Sequence, residues 1–376
     1  MKKNILFNNR HKKPVTATHL HIFVNYEINF LLIGTMDNLL DSNDNNVWEK
    51  VTEVYSMGVA ITNFTLQHPR VQQFIATKQK FDVIILEIFM TEAFLGLGHV
   101  FNAPVIGVST FGASKWTNDL VGTPTPLSYV PHPFLSFTDK MCIVERAGNI
   151  MMSIFDSAYM TIAYNPIQKQ IYDAAFPDPK PCLNTLKKDV SLVLLNSHFT
   201  LNYPRPYVPN MIEVGGMHIN RVPNPLPPNI KDFLDNAKDG VIYFSLGSNI
   251  QSTKLPIEKR DALLKTFASF KQKVMWKWED ANLPGKPDNV FIQSWWPQDD
   301  ILAHPNVKVF ITHGGLLGST EAIYHGVPVV GIPIFGDQEL NMARAVRAEY
   351  GLMVNYKNLT QTSLTWALKE VLNDPK

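Results

Sequence analysis

The stretch VKVFITHGGLLGSTEAIYHGVPVVGIP (307–333) reads as a strand, a glycine-rich turn, a helix and a second strand. Its outer segments are β-branched and aromatic runs with little polar alternation, as expected of strands covered on both faces in a parallel sheet. Between them, Gly314, Gly315 and Gly318 allow close backbone approach, and the helix beginning there aims its free N–H groups at the turn. That combination is an anion cradle. His313 adds a donor, and Glu321, two turns along the same helix, offers a carboxylate to vicinal hydroxyls such as those of a ribose. In open α/β sheets ligands bind beyond the carboxyl ends of the strands, so chemistry is sought in the loops after Leu246, Gln293, Ile311 and Pro333.

Those loops are informative. After NVFIQ (289–293) comes Ser294-Trp295-Trp296-Pro297-Gln298, where an indole face suits a planar base and a carboxamide pairs with a base edge or ribose. After PVVGIP (328–333) comes Ile334-Phe335-Gly336-Asp337-Gln338, an acid and an amide suited to sugar hydroxyls. Ser245-Leu246-Gly247-Ser248, closing GVIYFSL (240–246), supplies small residues that fit beside a phosphate. Core packing competes for the tryptophans, more for Trp296 than for Trp295.

The same rhythm extends outward. KVMWKW (273–278) also reads as a strand, with helices near 256–270, 318–325, 337–350 and 363–373. Upstream, FDVIILE (81–87), PVIGVS (104–109) and VSLVLLN (190–196) read as strands of an earlier sheet. Seven prolines between residues 204 and 228 mark a linker and are expected to exclude regular structure there. The architecture expected is α/β: two Rossmann-like halves joined by a proline-rich hinge and facing a cleft, divided as 1–217, a linker 218–236, and 237–376.

Composition narrows the class. A chain of 376 residues with 45% hydrophobic and 18% charged residues supports two globular cores. Its formal charge of +1 recruits neither nucleic acid nor an anionic membrane surface. Two cysteines, Cys142 and Cys182, make no disulfide framework or zinc motif. The charge-free stretch 93–114 holds Pro104 and four glycines, and reads as helix, turn and strand rather than a membrane span. The N-terminal MKKNILFNNRHKKP has too short an apolar insert for a signal peptide, so the sequence as written is expected to carry neither export signal nor anchor. No GxGxxG, GxxxxGK[ST] or HExxH occurs, which disfavours a dinucleotide dehydrogenase, a P-loop NTPase and a zincin. No Asp-x-Asp occurs either, so no metal-bridged diphosphate is expected, and the charge problem falls to backbone amides and helix ends.

Residues 291–341, from FIQSWWPQ through THGGLLGSTEAIYHGVP to FGDQELN, closely resemble the signature of the UDP-glycosyltransferases. The ordered W-x-P-Q, HGG with a glutamate eight residues after the histidine, and DQ make this resemblance specific. It extends from about His11 to the C-terminus and is strongest to the animal, insect-like branch. It implies a GT-B fold, UDP-sugar as co-substrate with no metal cofactor, and inverting transfer of a hexose, glucose foremost, to a small lipophilic acceptor. Carried over by residue, it assigns Trp295 to uracil, Gln298 to the uridine and Glu321 to the ribose. His313 with Gly314, and Ser248 after Gly247, fall to the diphosphate, Asp337 and Gln338 to the sugar, and Gly315, Gly318 and Ser319 to donor binding. Leu317 departs from the pattern, since many relatives place an asparagine there that contributes to donor binding.

Glu87, ending FDVIILE, matches the acidic partner of the family's catalytic histidine. The resemblance places that histidine in a first strand-helix-strand unit, and only about ten residues precede the point where it joins this sequence. The expectation is therefore an incomplete N-terminal domain, a missing base, uncovered apolar surface and impaired transfer. His19, His21 and His99 match no motif and are expected to pack or lie at the surface. The full-length family form is expected in the endoplasmic-reticulum membrane, facing the lumen, in detoxification, with homo-oligomerisation left open. The competing functions are a UDP-sugar-binding protein without turnover and a GT-B epimerase. UDP-glucose and UDP-glucuronate are not distinguished.

Overall fold

The apolar runs become strands, every pair of them parallel. In the computed structural model, which describes residue 40 and residues 46–373, the first sheet consists of β1 (Ile84–Glu87), β2 (Val105–Ser109), β3 (Val190–Leu195) and β4 (Met211–Glu213), adjacent in that order. The second is built from β5 (Val241–Ser245), β6 (Lys273–Lys277), β7 (Val290–Gln293), β8 (Val307–Thr312), β9 (Val329–Gly331) and β10 (Gly351–Met353). Its spatial order, β10-β9-β8-β5-β6-β7, reverses between β5 and β8. The switch point therefore lies beyond the ends of those two strands, and the loops opening it begin at Leu246 and His313.

Burial explains why β5 lacks polar alternation. Ile242 and Phe244 join the core on one face with Trp276, Val309 and Ile311, whereas Val241 and Tyr243 join the core on the other with Met275 and Phe310. Each alternate side chain thus meets a separate apolar layer. All four named β5 side chains are at most 1% exposed, so each contributes about 1.5–3 kcal/mol of burial.

The proline-rich segment corrects the expectation that it holds no regular structure. β4 forms within it because Met211 to Glu213 include no proline: Val193 donates to Asn210 O at 2.8 Å and Val214 donates to Leu195 O at 2.8 Å. The helix Pro228–Asp235 also falls there, with Pro228 in its first turn where no N–H is required. Its Ile230 and Leu234, 3% and 0% exposed, pack into the core beneath β5. Proline excludes structure only where its missing N–H or ring conflicts with a ladder, and here the prolines stand at the ends.

The long helices of the first half escaped the sequence reading. Val47–Gln67 starts from a capping box in which Asn46 accepts from Glu49 N while the Glu49 carboxylate accepts from Asn46 N at 3.0 Å. Ile143–Tyr159 and Asn165–Ala175 pack against it around Val51, Tyr55, Met90, Trp116 and Tyr164. This core has polar seams. Tyr55 OH donates to Asp156 Oδ1 at 2.7 Å, Tyr164 OH donates to Glu92, and Asn149 Nδ2 donates to Leu127 O and Val130 O. The 93–114 stretch forms the short helix Gly96–Val100, a turn and β2, as read. β1 pairs only with β2 among the described residues, and Ile85 on it is 56% exposed. Cys142 and Cys182 are exposed and free. Among the described residues no helix is long and apolar enough to cross a membrane.

Candidate functional site

The loop after β8 turns through Gly314, at φ +83°, into the helix Leu316–Tyr324. Thr312 Oγ1 accepts the Gly314 N–H at 3.2 Å and holds the turn. The helix has Gly315 as its N-cap and no side-chain cap, so its first-turn N–H groups face the loop without a protein acceptor. An uncapped N-terminus of this kind has the geometry that an anion cradle needs, with Gly314 N–H spent on the turn and the open donors beginning at Gly315.

His313 lies across two glycines. A Cβ at Gly247 would stand 2.5 Å from its Cε1, and a Cβ at Gly315 would stand 2.5 Å from its Nε2. Gly247, at φ +81°, closes the loop after β5, so the two loops at the switch point meet face to face on this imidazole. Burial pushes the His313 pKa down to about 4, with Lys277 adding to the effect, and Nδ1 has no partner. The ring is therefore neutral at pH 7. Its folded pKa is below the ordinary 6.5, so the unfolded chain binds more protons between those values, and stability falls as pH drops from about 6.5 to 4. The loss expected is on the order of 2–3 kcal/mol, flat below pH 4. Urea unfolding of wild type and His313→Gln at pH 7 and pH 5 checks it: the variant should lose part of the pH dependence, and identical slopes would contradict the assignment.

Gln298 and Glu321 form the second part. Gln298, in the first turn of the helix Gln298–Leu302 that follows β7, donates from Nε2 to Glu321 Oε2 at 2.6 Å. Tyr243 OH donates to Gln298 Oε1 at 3.2 Å. The other carboxylate oxygen of Glu321 is 3.4 Å from His218 Nε2. Gly318 packs closely on this pair: a Cβ there would be 3.1 Å from Gln298 Nε2, so a side chain would have to push the carboxamide aside. Ser319 is buried with Oγ unpartnered. The two tryptophans part company: Trp296 is in the core, edge-on to Phe291 at 5.1 Å, whereas Trp295 is 68% exposed with Lys277 Nζ 5.8 Å from its ring centroid. Ser248 is exposed beside Gly247, with its hydroxyl directed to Asn249.

Beyond β9, Gln338 and Asp337 open the helix Gln338–Arg347. Gln338 is buried and Oε1 accepts from Ile334 N at 2.8 Å and Phe335 N at 3.1 Å, so its carbonyl shapes the loop and its amide remains for other use. Asp337 accepts from Asn341 Nδ2 at 2.9 Å, which also donates to Gly314 O at 3.0 Å. Burial pushes the Asp337 carboxyl above its usual range, against the hydrogen bond from Asn341.

Glu87 stands apart from this cluster. It is exposed at the end of β1 and accepts from Thr110 Oγ1 at 3.0 Å, with no histidine paired to it among the described residues. His99 is an exposed surface residue, and His19 and His21 lie outside the described residues. Sequence reasoning missed Tyr243, Asn341 and His218. His218 follows the Gly215-Gly216 pair, and its segment is stapled to the Gln298–Leu302 helix: Asn220 N donates to Asp299 at 3.0 Å and Asn224 N donates to Asp300 at 2.6 Å. Those acids sit in the helix's first turn, where its dipole favours them.

Among solved structures, the glycotransferase of kitacinnamycin matches 89% of this chain and 76% of its own at TM-score 0.58 and 17% identity. A UDP-glucosyltransferase from Polygonum tinctorium matches 84% and 73% at TM-score 0.56 and 16% identity. These likenesses show the fold, a GT-B arrangement. In sequence, UDP-glycosyltransferase UGT4 of Dactylopius coccus is 36% identical over 95% of this chain and 70% of its own length. UGT5 of the same insect is 39% identical over 79% of this chain, and human UDP-glucuronosyltransferase 2A3 is 36% identical over 67%. The chain spans 56% and 46% of those two relatives. The model of the UDP-glucoronosyl and UDP-glucosyl transferases matches residues 25–376, which takes in both sheets and every loop around the switch point. With that span added to the two-sheet topology and the ordered loop residues, this chain belongs to the UDP-glucuronosyl and UDP-glucosyl transferase family.

Proposed function

We propose that the chain carries the donor site of a UDP-glycosyltransferase that moves a hexose, glucose foremost, from UDP-sugar to a hydroxyl of a small lipophilic acceptor with inversion. The observation that carries this reading is the convergence, at one topological switch point, of an uncapped helix N-terminus, the Gln298–Glu321 pair and the exposed indole of Trp295. In it Trp295 stacks on uracil, Gln298 fixes the uridine and Glu321 accepts the ribose hydroxyls, exchanging its contact with His218. Gly315, Gly318, Ser319 and His313 receive the diphosphate, with Gly247, Gly314 and Ser248 shaping its walls. Asp337 and the free amide of Gln338 take the sugar. Residues 237–376 supply this site, 218–236 the linker and 1–217 the acceptor side, where Glu87 partners the general base. Family membership supports a place in the endoplasmic-reticulum membrane and a role in detoxification.

The transfer is a single in-line displacement. The base takes the acceptor proton, the acceptor oxygen attacks the anomeric carbon from the face opposite UDP, and the bond to the diphosphate breaks. The developing charge on UDP falls on the helix N-terminus and His313, which are already oriented before reaction. No step calls on a metal.

Calorimetric titration with UDP tests the reading. Glu321→Ala should weaken UDP about 10–100-fold, the effect of 1–3 kcal/mol for ribose hydroxyls left without a partner. Wild-type binding should be unchanged by EDTA. Equal affinities would remove Glu321 from the site, and loss with EDTA restored by Mg²⁺ would overturn the metal-free donor site.

A further inference from the structure

Between the carboxyl ends of the two sheets lies a cavity walled on one side by the loops after β2 and β3 and on the other by the Gln338–Arg347 helix. Four of its lining residues, Trp116, Tyr203, Arg205 and Arg344, each carry a buried polar atom without a well-formed hydrogen bond, Nε1, OH, Nε and Nε in that order, with Tyr203 and Arg344 interacting only with each other's side chains at poor geometry. One orphaned donor costs about 1–3 kcal/mol, and native structures contain few. Four around one cavity, two of them on guanidiniums, call for an acceptor from outside the chain.

The charge balance specifies its sign. Arg205 and Arg344 form no salt bridge among the described residues, and Asp337 is the one acid among the residues that line the cavity. The nearby Glu213 is taken, accepting from Ser197 Oγ at 2.8 Å and Tyr207 OH at 3.3 Å. Arg205 is held in place by the bond from Nη1 to Ala113 O at 2.9 Å, and Arg344 by the Tyr203 ring, whose centroid is 5.0 Å from Cζ. Burial pushes both guanidiniums below their usual range, and Arg344 contributes to the shift at Arg205, so two cations sit close in a desolvated space, with Asp337 acting on Arg344 and Glu213 on Arg205. Phe111, Pro131 and Pro133 give the wall an apolar part, and Ser114, Ser197, Asn202 and Asn341 a polar one.

We infer that this cavity binds a carboxylate, or an oxyanion of similar size, carried on the ring of a small organic ligand, with Arg344 and Arg205 as its recognition residues. A planar guanidinium matches a carboxylate with two parallel hydrogen bonds, and the indole and phenol donors complete its acceptor sites. The inference rests on the donor-site reading, because Asp337 belongs to both. The carboxylate has two sources: the uronic acid of a donor sugar, or an acid group on the acceptor.

The test measures binding to the full chain in two arms. In the donor arm, UDP-glucuronate is compared with UDP-glucose; in the acceptor arm, 4-hydroxybenzoate is compared with its methyl ester, with and without saturating UDP. One arm should favour the acid by about tenfold or more, as a charge-assisted contact gives, and that arm names the source. Arg344→Gln and Arg205→Gln should each reduce the preference toward unity, while Arg344→Lys, which keeps the charge, should retain part of it. UDP alone is the separate control: if wild type fails to bind UDP, the donor-site reading falls, and the acceptor arm without UDP still decides the cavity. Absence of any acid preference in both arms, or a preference that survives both glutamine variants, overturns the inference.

Discussion

Asp156→Ala is expected to cost about 3–5 kcal/mol of stability, one of the largest effects of any single substitution in the first half. Asp156 is 1% exposed and sits where three segments meet: its own helix Ile143–Tyr159, the helix Val47–Gln67 through Tyr55, and the loop carrying His132. Oδ1 accepts from Tyr55 OH at 2.7 Å, and Oδ2 lies 3.4 Å from His132 Nε2. Phe134 N donates to His132 Nδ1 at 3.3 Å, so the proton of that ring is on Nε2, facing the carboxyl. Burial and the neighbouring Asp156 push the Tyr55 hydroxyl far above its usual range, so it remains a donor at every accessible pH. Alanine leaves the Tyr55 hydroxyl buried without an acceptor, which costs about 1–3 kcal/mol, removes the carboxyl that faces His132 Nε2 and adds a small void. Urea unfolding followed by tryptophan fluorescence measures it. Asp156→Asn, which keeps the shape and one acceptor, should recover more than half of the loss; a change under about 1 kcal/mol for alanine would show that water or a shifted helix replaces the carboxyl.

Gly247→Ala is expected to weaken UDP binding by about 100-fold. The backbone there is left-handed, which costs alanine about 1–2 kcal/mol, and the new Cβ would overlap the His313 ring at 2.5 Å. Overlap of this kind costs about 1–3 kcal/mol unless something moves. What moves is either the loop after β5 or the imidazole, and both line the proposed diphosphate cradle, so relief of the clash is loss of the site. Gly326→Ala is the control. It has φ +67° and no atom within 4 Å of its Cβ position, so it carries the backbone strain without the contact. Calorimetry with UDP should show the control near wild type and Gly247→Ala far weaker; affinity of Gly247→Ala within threefold of wild type would mean that His313 does not define the cradle.

Much of this molecule is decided by local sequence. The β5, β6, β8 and β9 runs are apolar on both faces because each strand has a helix layer on either side, and that demand is written residue by residue into GVIYFSL and VKVFITH. The glycines after β8 were legible for a related reason: a turn that brings backbone against a histidine ring excludes Cβ, and the sequence shows where none is present. The identity and order of W-x-P-Q, HGG, the glutamate and DQ survive because they sit at strand ends, where position along the chain and position in the site coincide.

Other features depend on partners distant in sequence. β4 is three residues long and no local pattern distinguishes it; it is a strand because β3 presents an unpaired edge there. The Pro228–Asp235 helix owes its place to Ile230 and Leu234 reaching the core under β5. The pairing of His218 with Glu321 and the meeting of Arg205 with Arg344 join residues more than 100 positions apart, and no spacing rule connects them. The sequence by itself determined the strand runs, the glycine-rich turn and the order of the proposed donor-site residues, because those follow from the periodicity and geometry of single elements. The tertiary structure alone decided which charges are left unpartnered in the cleft, because burial and desolvation belong to the assembled surfaces.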